Sequence, residues 1–142
     1  MKISNFSLIF LRLTISYIWL KAGLSKLISN EFINTFPGLL QGFAKESTFS
    51  FYSTFLNNYV IPHSQVIAQL VVWGEILTGI AFLLGFPMLI ATLAGICMNL
   101  NYFLIANSTP SQFLNILLIT SQFFAYANGA GKIWGLETKL KK

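Results

Sequence analysis

The sequence predicts an all-α fold: an integral membrane four-helix bundle with short interfacial helices in the first extracytoplasmic loop. Three observations predict this fold. Hydrophobic residues make up 55 % of the 142-residue chain and charged residues only 9 %, whereas a soluble domain carries about 25 % charged residues. Four segments reach or approach the roughly 20 apolar residues that a membrane-spanning helix needs. Short turns containing glycine or proline separate the last three segments, as expected for adjacent antiparallel helices.

The four predicted spans occupy residues 6–27, 64–84, 87–105 and 112–126. The sequence Gly-Phe-Pro at residues 85–87 ends the second span, because glycine permits the bend and proline favours the first position of the next helix. Pro110 has the same role before the fourth span. Residues 1–142 are therefore expected to form a single membrane domain.

The segment 29–62, between the first two spans, is too long for a simple turn and too aromatic for a disordered linker. Phe51, Phe55 and Tyr59 recur every four residues, with Tyr52 and Leu56 beside them, which is the pattern of an apolar helix face. We expect one or two short helices at the membrane surface, folded as a cap over the mouth of the bundle. A packed extramembrane loop without chemistry is an equally open interpretation.

Basic residues set the expected orientation. Four spans place both termini on one side of the membrane, and Lys2 and four lysines near the C-terminus lie on that side. Because positive charges collect on the cytoplasmic side, we expect a multi-pass protein with both termini in the cytoplasm and the cap outside. Membrane flanks then explain the net charge of +5, and no nucleic-acid partner is expected.

The chain contains one cysteine, Cys97, and one histidine, His63. This composition excludes an internal disulfide, a thiolate-held zinc or cluster site, and a two-histidine haem within the chain. No metal or haem is therefore expected as a cofactor of this chain. Any redox chemistry would use an organic, diffusible electron carrier or a carrier held by a partner.

Glu75 is the one charged residue in the apolar run of residues 71–86. A charged side chain at the bilayer centre costs about 2.5–3.5 kcal/mol on insertion scales, so it is expected to face the bundle and to have a partner. Arg12 in the first span is the expected partner, because a guanidinium can form a two-pronged hydrogen bond with a carboxylate. The pair could only fix helix register, or it could form a binding or proton-handling site.

Three more residues of the first span are candidates for the site. Trp19 and Lys26 share the helix face of Arg12 at helical spacing. Lys21 lies on the opposite face, where its long side chain could reach the lipid interface or turn inward to a polar pocket.

The later spans add Trp73, Asn99 and Tyr102. Asn99 and Tyr102 indicate a polar interior, because amide and hydroxyl groups in hydrocarbon need hydrogen-bond partners. Trp19, Trp73 and Tyr102 could form aromatic walls around a quinone headgroup. Interface anchoring or core packing is the more common role of such tryptophans.

Three stretches resemble a known family: LRLTISYIWLKAGLSKL at residues 11–27, the aromatic cap and second span at residues 51–86, and GAGKIWGLETKL at residues 129–140. They resemble prokaryotic DoxX-like membrane proteins, and most of all the DoxD type, the membrane subunits of thiosulfate:quinone oxidoreductases. The pattern comprises Arg12, Gly23, Lys26, Pro62, Glu75, Gly79, Gly85 and the tail from Gly131 to Glu137. Glu137 stands where the family usually has aspartate.

The resemblance implies oxidation of thiosulfate to tetrathionate, with two electrons passed to a membrane quinone in the prokaryotic cell membrane. It implies catalytic roles for Glu75 and Arg12 around an inner pocket, and binding of the anion by Lys21 and Lys26. Trp19, Trp73, Asn99 and Tyr102 complete the expected substrate-binding set. The second, small subunit of the oxidoreductase would be a separate chain.

A rival interpretation is a non-catalytic DoxX-like accessory subunit that organises a larger respiratory membrane complex and uses its polar core only for packing. A small-molecule transporter has less support, because the sequence contains no evident inverted repeat and no pair of broken helices. The expected partners are membrane lipid and either the small subunit or the subunits of a respiratory complex.

Overall fold

The computed structural model describes residues 4–29 and 31–138. Within these residues the protein is 88 % helical and contains no strands, so the predicted all-α class is confirmed. The six α-helices are α1 (Asn5–Ser29), α2 (Phe32–Glu46), α3 (Ser50–Phe55), α4 (Ser64–Leu84), α5 (Met88–Ile105) and α6 (Thr109–Ala127). A π-helical turn, Leu56–Val60, and a 3₁₀ turn, Ile61–His63, join α3 to α4.

Three helical segments are long and apolar enough to cross a membrane by length and composition: Asn5–Ser29, Ser50–Leu84 and Met88–Ile105. They contain the first two predicted spans and the third from its second residue, and α4 has the bounds that the sequence predicts. Helix α6 is 19 residues long but is not among these segments. The fourth span therefore stays a prediction.

The long helices pack in a closed order, in which α1 contacts α4, α4 contacts α5, α5 contacts α6, and α6 returns to α1. Glycines permit the closest approach: a Cβ atom at Gly79 would lie 2.8 Å from the backbone nitrogen of Leu20. The Ser16 hydroxyl donates a hydrogen bond to the Gly79 carbonyl at 2.8 Å. Small residues and a buried polar contact thus fix the register of α1 against α4.

Helices α2 and α3 confirm the prediction of short helices between the first two spans, and they form the cap (residues 32–63). The cap packs on the first half of α4 and the end of α5 in a core of its own. That core contains Phe36, Leu40, Ala44, Tyr52, Leu56 and Ala68. A second core, around Ile15, Trp19 and Phe82, lies between the long helices. Helix α4 therefore belongs to both cores.

The C-terminal segment folds back over the end of α4 in two 3₁₀ turns, Ala130–Lys132 and Leu136–Thr138. Gly85 has φ of +68°, and a Cβ atom there would lie 2.9 Å from the Cα atom of Gly135. Glycine is needed at residue 85 both for this left-handed backbone and for the close approach of the tail. The tail therefore closes the end of the protein that lies away from the cap.

Candidate functional site

Glu75 lies in the middle of α4, on the side that faces α1, and its side chain is 1 % exposed. Gly23 of α1 lies opposite: a Cβ atom at this position would be 3.1 Å from the Cβ atom of Glu75. The missing side chain at Gly23 therefore leaves room for the acid between two closely packed helices.

Lys26 and Tyr102 are the partners of Glu75. Lys26 Nζ lies 2.5 Å from Glu75 Oε1 and 2.6 Å from Oε2. The Tyr102 hydroxyl donates to Oε1 at 2.5 Å. Lys26 is near the end of α1, three residues after Gly23, so the glycine and the lysine lie on one face of the helix. The cluster Lys26–Glu75–Tyr102 joins α1, α4 and α5, and it contains the one ion pair in the described part of the chain.

The expected pair between Arg12 and Glu75 is wrong. The Arg12 side chain is buried, and its Nη1 atom donates to the carbonyls of Ala130 at 2.9 Å and Ile133 at 3.0 Å. Arg12 and Lys26 are fourteen residues apart on α1, or about 21 Å along the helix. Arg12 therefore holds the tail at one end of α1, whereas Lys26 and Glu75 meet near the other end.

The physical reason is the register of α1 against α4. Contacts of Gly23 with Ile76 and of Gly79 with Leu20 place Glu75 beside the last turns of α1. The first half of α4 extends beyond the end of α1 and is covered by the cap. The position of Glu75 within α4 does not fix which residue of α1 lies opposite, and the observed register brings the acid to the last turns of α1.

A cavity of about 500 Å³ adjoins the cluster. This volume lies in the range of small-molecule sites, which is roughly 300–1,000 Å³. Lys26 and Tyr102 are part of its wall, and Glu75 lies behind them. The other lining residues with polar groups are Tyr52, Asn101 and Cys97, whose thiol is weakly polar. Its apolar lining comes mainly from the cap, α4 and α5: Phe32, Phe36, Leu39, Leu40, Phe43, Leu56, Val60, Ile67, Leu70, Val71, Met98 and Ile105.

The arrangement can hold an apolar molecule and hydrogen-bond its polar end. Nearly all of the wall is apolar or aromatic, and the charged group on it, the Lys26 ammonium, is neutralised by a carboxylate just outside the cavity. The ammonium also lies 5.4 Å from the ring centre of Phe32 and 5.8 Å from that of Tyr102. Such a cation near aromatic faces is further stabilised by the ring quadrupoles.

Trp19 and Asn99 are buried in the core between the long helices, outside the cavity lining. The Trp19 indole nitrogen donates to Gln122 Oε1 at 3.2 Å. The Asn99 amide donates to the Gly95 carbonyl of its own helix at 3.0 Å. These bonds satisfy polar groups in the packed interior, so the structure does not bring Trp19 or Asn99 to the cavity.

Lys21 and Trp73 lie on the outer surface. The Lys21 ammonium sits 5.8 Å from the ring centre of Tyr17 on the same helix, and Trp73 is 51 % exposed. Neither lines the cavity beside Glu75. Of the eight candidate residues, the structure brings together Glu75, Lys26 and Tyr102, and it separates the other five from them.

Sequence reasoning did not assign Tyr52 and Asn101 to the site. The Tyr52 hydroxyl donates to Asn101 Oδ1 at 2.5 Å, which ties α3 to α5 at the cavity wall. The apolar face with Phe51, Phe55 and Tyr59 points outward instead, with exposures of 64 %, 43 % and 66 %. Two signals were available: the hydroxyl of Tyr52 beside that face, and the amide of Asn101 in an apolar helix, which needs a hydrogen-bond partner.

The fold has apolar helical segments long enough to cross a membrane, and the site has an acid buried beside an apolar cavity. These features are typical of small helical membrane proteins. The DoxX family model matches residues 7–108, and the chain belongs to the DoxX family of membrane proteins. The matched residues contain helices α2 to α5, all of α1 except its first two residues, the Lys26–Glu75–Tyr102 cluster and the whole cavity lining. Searches of curated proteins and of solved structures found no significant match.

Proposed function

We propose that the protein is the membrane subunit of a thiosulfate:quinone oxidoreductase and that the cavity binds the headgroup of a membrane quinone. One observation supports the quinone site: the apolar cavity adjoins the Lys26–Glu75–Tyr102 cluster. A quinone ring suits an apolar and aromatic wall, and its carbonyl oxygens accept hydrogen bonds. The choice of thiosulfate as electron donor rests on the resemblance to the DoxD subunits.

The reaction balances as follows. Two thiosulfate ions join through a new S–S bond to give tetrathionate and release two electrons. The quinone takes up these two electrons and two protons to become the quinol. The protein must therefore supply protons to a ring held in an apolar cavity, which requires ionisable groups at the cavity wall.

Lys26 can supply a hydrogen bond and a proton at the wall, whereas the single hydroxyl hydrogen of Tyr102 is already donated to Glu75 Oε1. An ammonium has three donor hydrogens, and two of them face the oxygens of Glu75. The third has no partner among residues 4–29 and 31–138 and is free to donate to a quinone carbonyl. Glu75, already the carboxylate of the ion pair, would keep its negative charge when Lys26 gives up a proton, and that charge would favour reprotonation of Lys26.

The proposal includes four membrane spans, with both termini in the cytoplasm. Helix α6 supports it because α6 packs along α5 and also contacts α1, and its buried Gln122 meets Trp19 of α1. A helix held between two apolar helices lies in the same environment as they do. Single cysteines introduced at each turn into a Cys97→Ser background, and labelled from each side of sealed vesicles, test the topology.

The activity is tested with the purified chain and its native partners in liposomes that contain a short-chain quinone. Thiosulfate-dependent quinol formation and tetrathionate are both measured. Glu75→Gln and Lys26→Ala are expected to lower the rate at least about tenfold, in the range of lost proton-transfer groups. Glu31→Gln and Lys45→Ala change the same residue types at exposed positions and should keep the wild-type rate. Full activity in both site variants would refute the assignment.

A second candidate function is supported by one observation: the Lys26–Glu75–Tyr102 cluster joins three helices and could serve only to hold them in register. The protein would then be an accessory subunit that organises a respiratory membrane complex. In that case wild-type protein gives no thiosulfate-dependent quinone reduction, and Glu75→Gln lowers the yield of an assembled complex recovered by native purification.

A further inference from the structure

The most exposed large hydrophobic side chain in the described part of the chain lies on the tail. Trp134 is 90 % exposed, and its backbone φ of +53° is the one positive value among the described residues other than glycine. This conformation is unfavourable for a residue with a bulky side chain, so it persists only where the surrounding structure imposes it. The tail therefore holds a large apolar ring away from the protein in spite of an unfavourable backbone.

Contacts on both sides of Trp134 impose this conformation. The carbonyl of Ile133 accepts a hydrogen bond from Arg12 Nη1 at 3.0 Å, and the Ile133 side chain packs on the core between the long helices. A Cβ atom at Gly135 would lie 2.9 Å from the same Arg12 nitrogen, so the backbone after Trp134 is also close against the protein. Because the residues before and after it are held inward, the indole ring of Trp134 is directed outward.

The tail lies where the apolar helices end. It follows directly after α6, and Gly135 packs against Gly85 in the turn between α4 and α5. The ring of Trp134 is thus held beside the plane in which α4 ends and α5 begins. Tryptophan is enriched at this depth of membrane proteins, because its apolar body enters the edge of the hydrocarbon while its N–H group keeps a polar partner.

The charge of the tail favours an anionic partner. Lys132, two residues before Trp134, is exposed. Three of the last four residues of the sequence are also lysine, and Glu137 is the single acid in residues 128–142. Basic residues at a membrane surface are attracted to the anionic headgroups of phospholipids. An exposed aromatic ring with basic neighbours, at the end of apolar helices, matches both layers of such a surface, the hydrocarbon edge and the phosphates.

We propose that Trp134 and Lys132 form a contact site for an anionic phospholipid. The indole ring lies at the top of the acyl chains, and the Lys132 ammonium binds the headgroup phosphate. Burial of the ring in the lipid interface offsets the unfavourable backbone conformation of Trp134. The site lies on the tail, at the end of the protein away from the cap and its cavity, and it is independent of the proposed quinone reaction.

The test uses the purified full chain in phosphatidylcholine nanodiscs that contain a minor fraction of spin-labelled lipid. The spin label quenches tryptophan fluorescence. It is placed either near the headgroup or deep in the acyl chain, and it is carried either by anionic phosphatidylglycerol or by zwitterionic phosphatidylcholine. The chain has three tryptophans, so the emission of Trp134 is obtained as the difference between wild type and Trp134→Phe.

We expect the shallow label to quench the Trp134 emission at least about twofold more than the deep label. At equal label content, phosphatidylglycerol should quench it several-fold more than phosphatidylcholine. Lys132→Gln should lower this headgroup preference at least about twofold, because each lysine near the surface attracts the anionic lipid. Lys45→Gln changes an exposed lysine of the cap and should leave both the depth and the preference unchanged.

Two results would overturn the contact site. One is a Trp134 emission that dissolved acrylamide quenches and neither lipid label quenches, which would show a ring facing water and free for a protein partner. The other is equal quenching by the two headgroups in wild-type protein. The comparison of wild type with Lys132→Gln needs no tryptophan variant, so it decides the matter even if Trp134→Phe fails to fold. None of these results bears on thiosulfate-dependent quinone reduction, which has its own assay.

Discussion

Removing one member of the Lys26–Glu75 pair should destabilise the protein by an amount that depends on which member remains. Breaking a buried ion pair costs about 3–5 kcal/mol, because an uncompensated charge is left behind. Glu75 is 1 % exposed and Lys26 is 24 % exposed. Lys26→Met strands the fully buried acid and should cost about 3–5 kcal/mol. Glu75→Gln leaves a lysine that can turn outward, and the amide oxygen of the new side chain can still accept a hydrogen bond from Tyr102. We therefore expect this variant to lose about 2 kcal/mol of stability.

The assay is reversible unfolding in mixed micelles, with the two single variants and the double variant forming a cycle. The double variant should cost less than the sum of the single variants, with a coupling above about 1 kcal/mol, because neither charge is then stranded. Glu31→Gln and Lys45→Met, at exposed positions, should stay within about 0.5 kcal/mol of wild type. Additive costs, or a larger cost for Glu75→Gln than for Lys26→Met, would refute the reasoning.

Three further predictions concern packing. Gly23→Ala should destabilise the protein by about 1–3 kcal/mol, because its Cβ would lie 3.0 Å from the backbone nitrogen of Ile76; unfolding in mixed micelles measures this, and a neutral effect would contradict the close contact. Gly38→Ala meets no atom within 4 Å and should stabilise α2 by about 0.5–1 kcal/mol through helix propensity; a destabilisation in the same assay would show an unrecognised contact. Arg12→Met should release the tail and speed trypsin cleavage after the exposed Lys132 by about tenfold or more, with cleavage after Lys45 as the internal control; an unchanged rate would show that the tail is held without Arg12.

The sequence predicts the helices well because local chemistry sets them. Proline and glycine at residues 85–87 end α4 where the structure ends it, and the apolar windows find α1 and α5 to within two residues. The same reasoning failed for the partner of Glu75. Hydrophobicity places each helix in an apolar environment but carries no information on how far one helix is shifted along another, and that shift decides between Arg12 and Lys26.

The cavity could not be predicted for a related reason. In a soluble helix the apolar face marks the interior, but the apolar face around α3 is broad and contains two adjacent rows, so the pattern does not tell which row is buried. The structure buries the row with Tyr52 and Leu56. Glu75 itself was recognisable, because a lone charge in an apolar run must face other protein groups.

The bond between Arg12 and the tail links residues 118 positions apart, and this separation affects how the chain is made. The first helix is synthesised and delivered to the membrane long before the carbonyls of Ala130 and Ile133 exist. During that interval the guanidinium has to be accommodated by water, lipid headgroups or an insertion factor. Final closure of this end of the protein therefore waits until residues 130–133 have been synthesised, so a nascent chain stalled before residue 130 should still expose an arginine that the mature protein conceals.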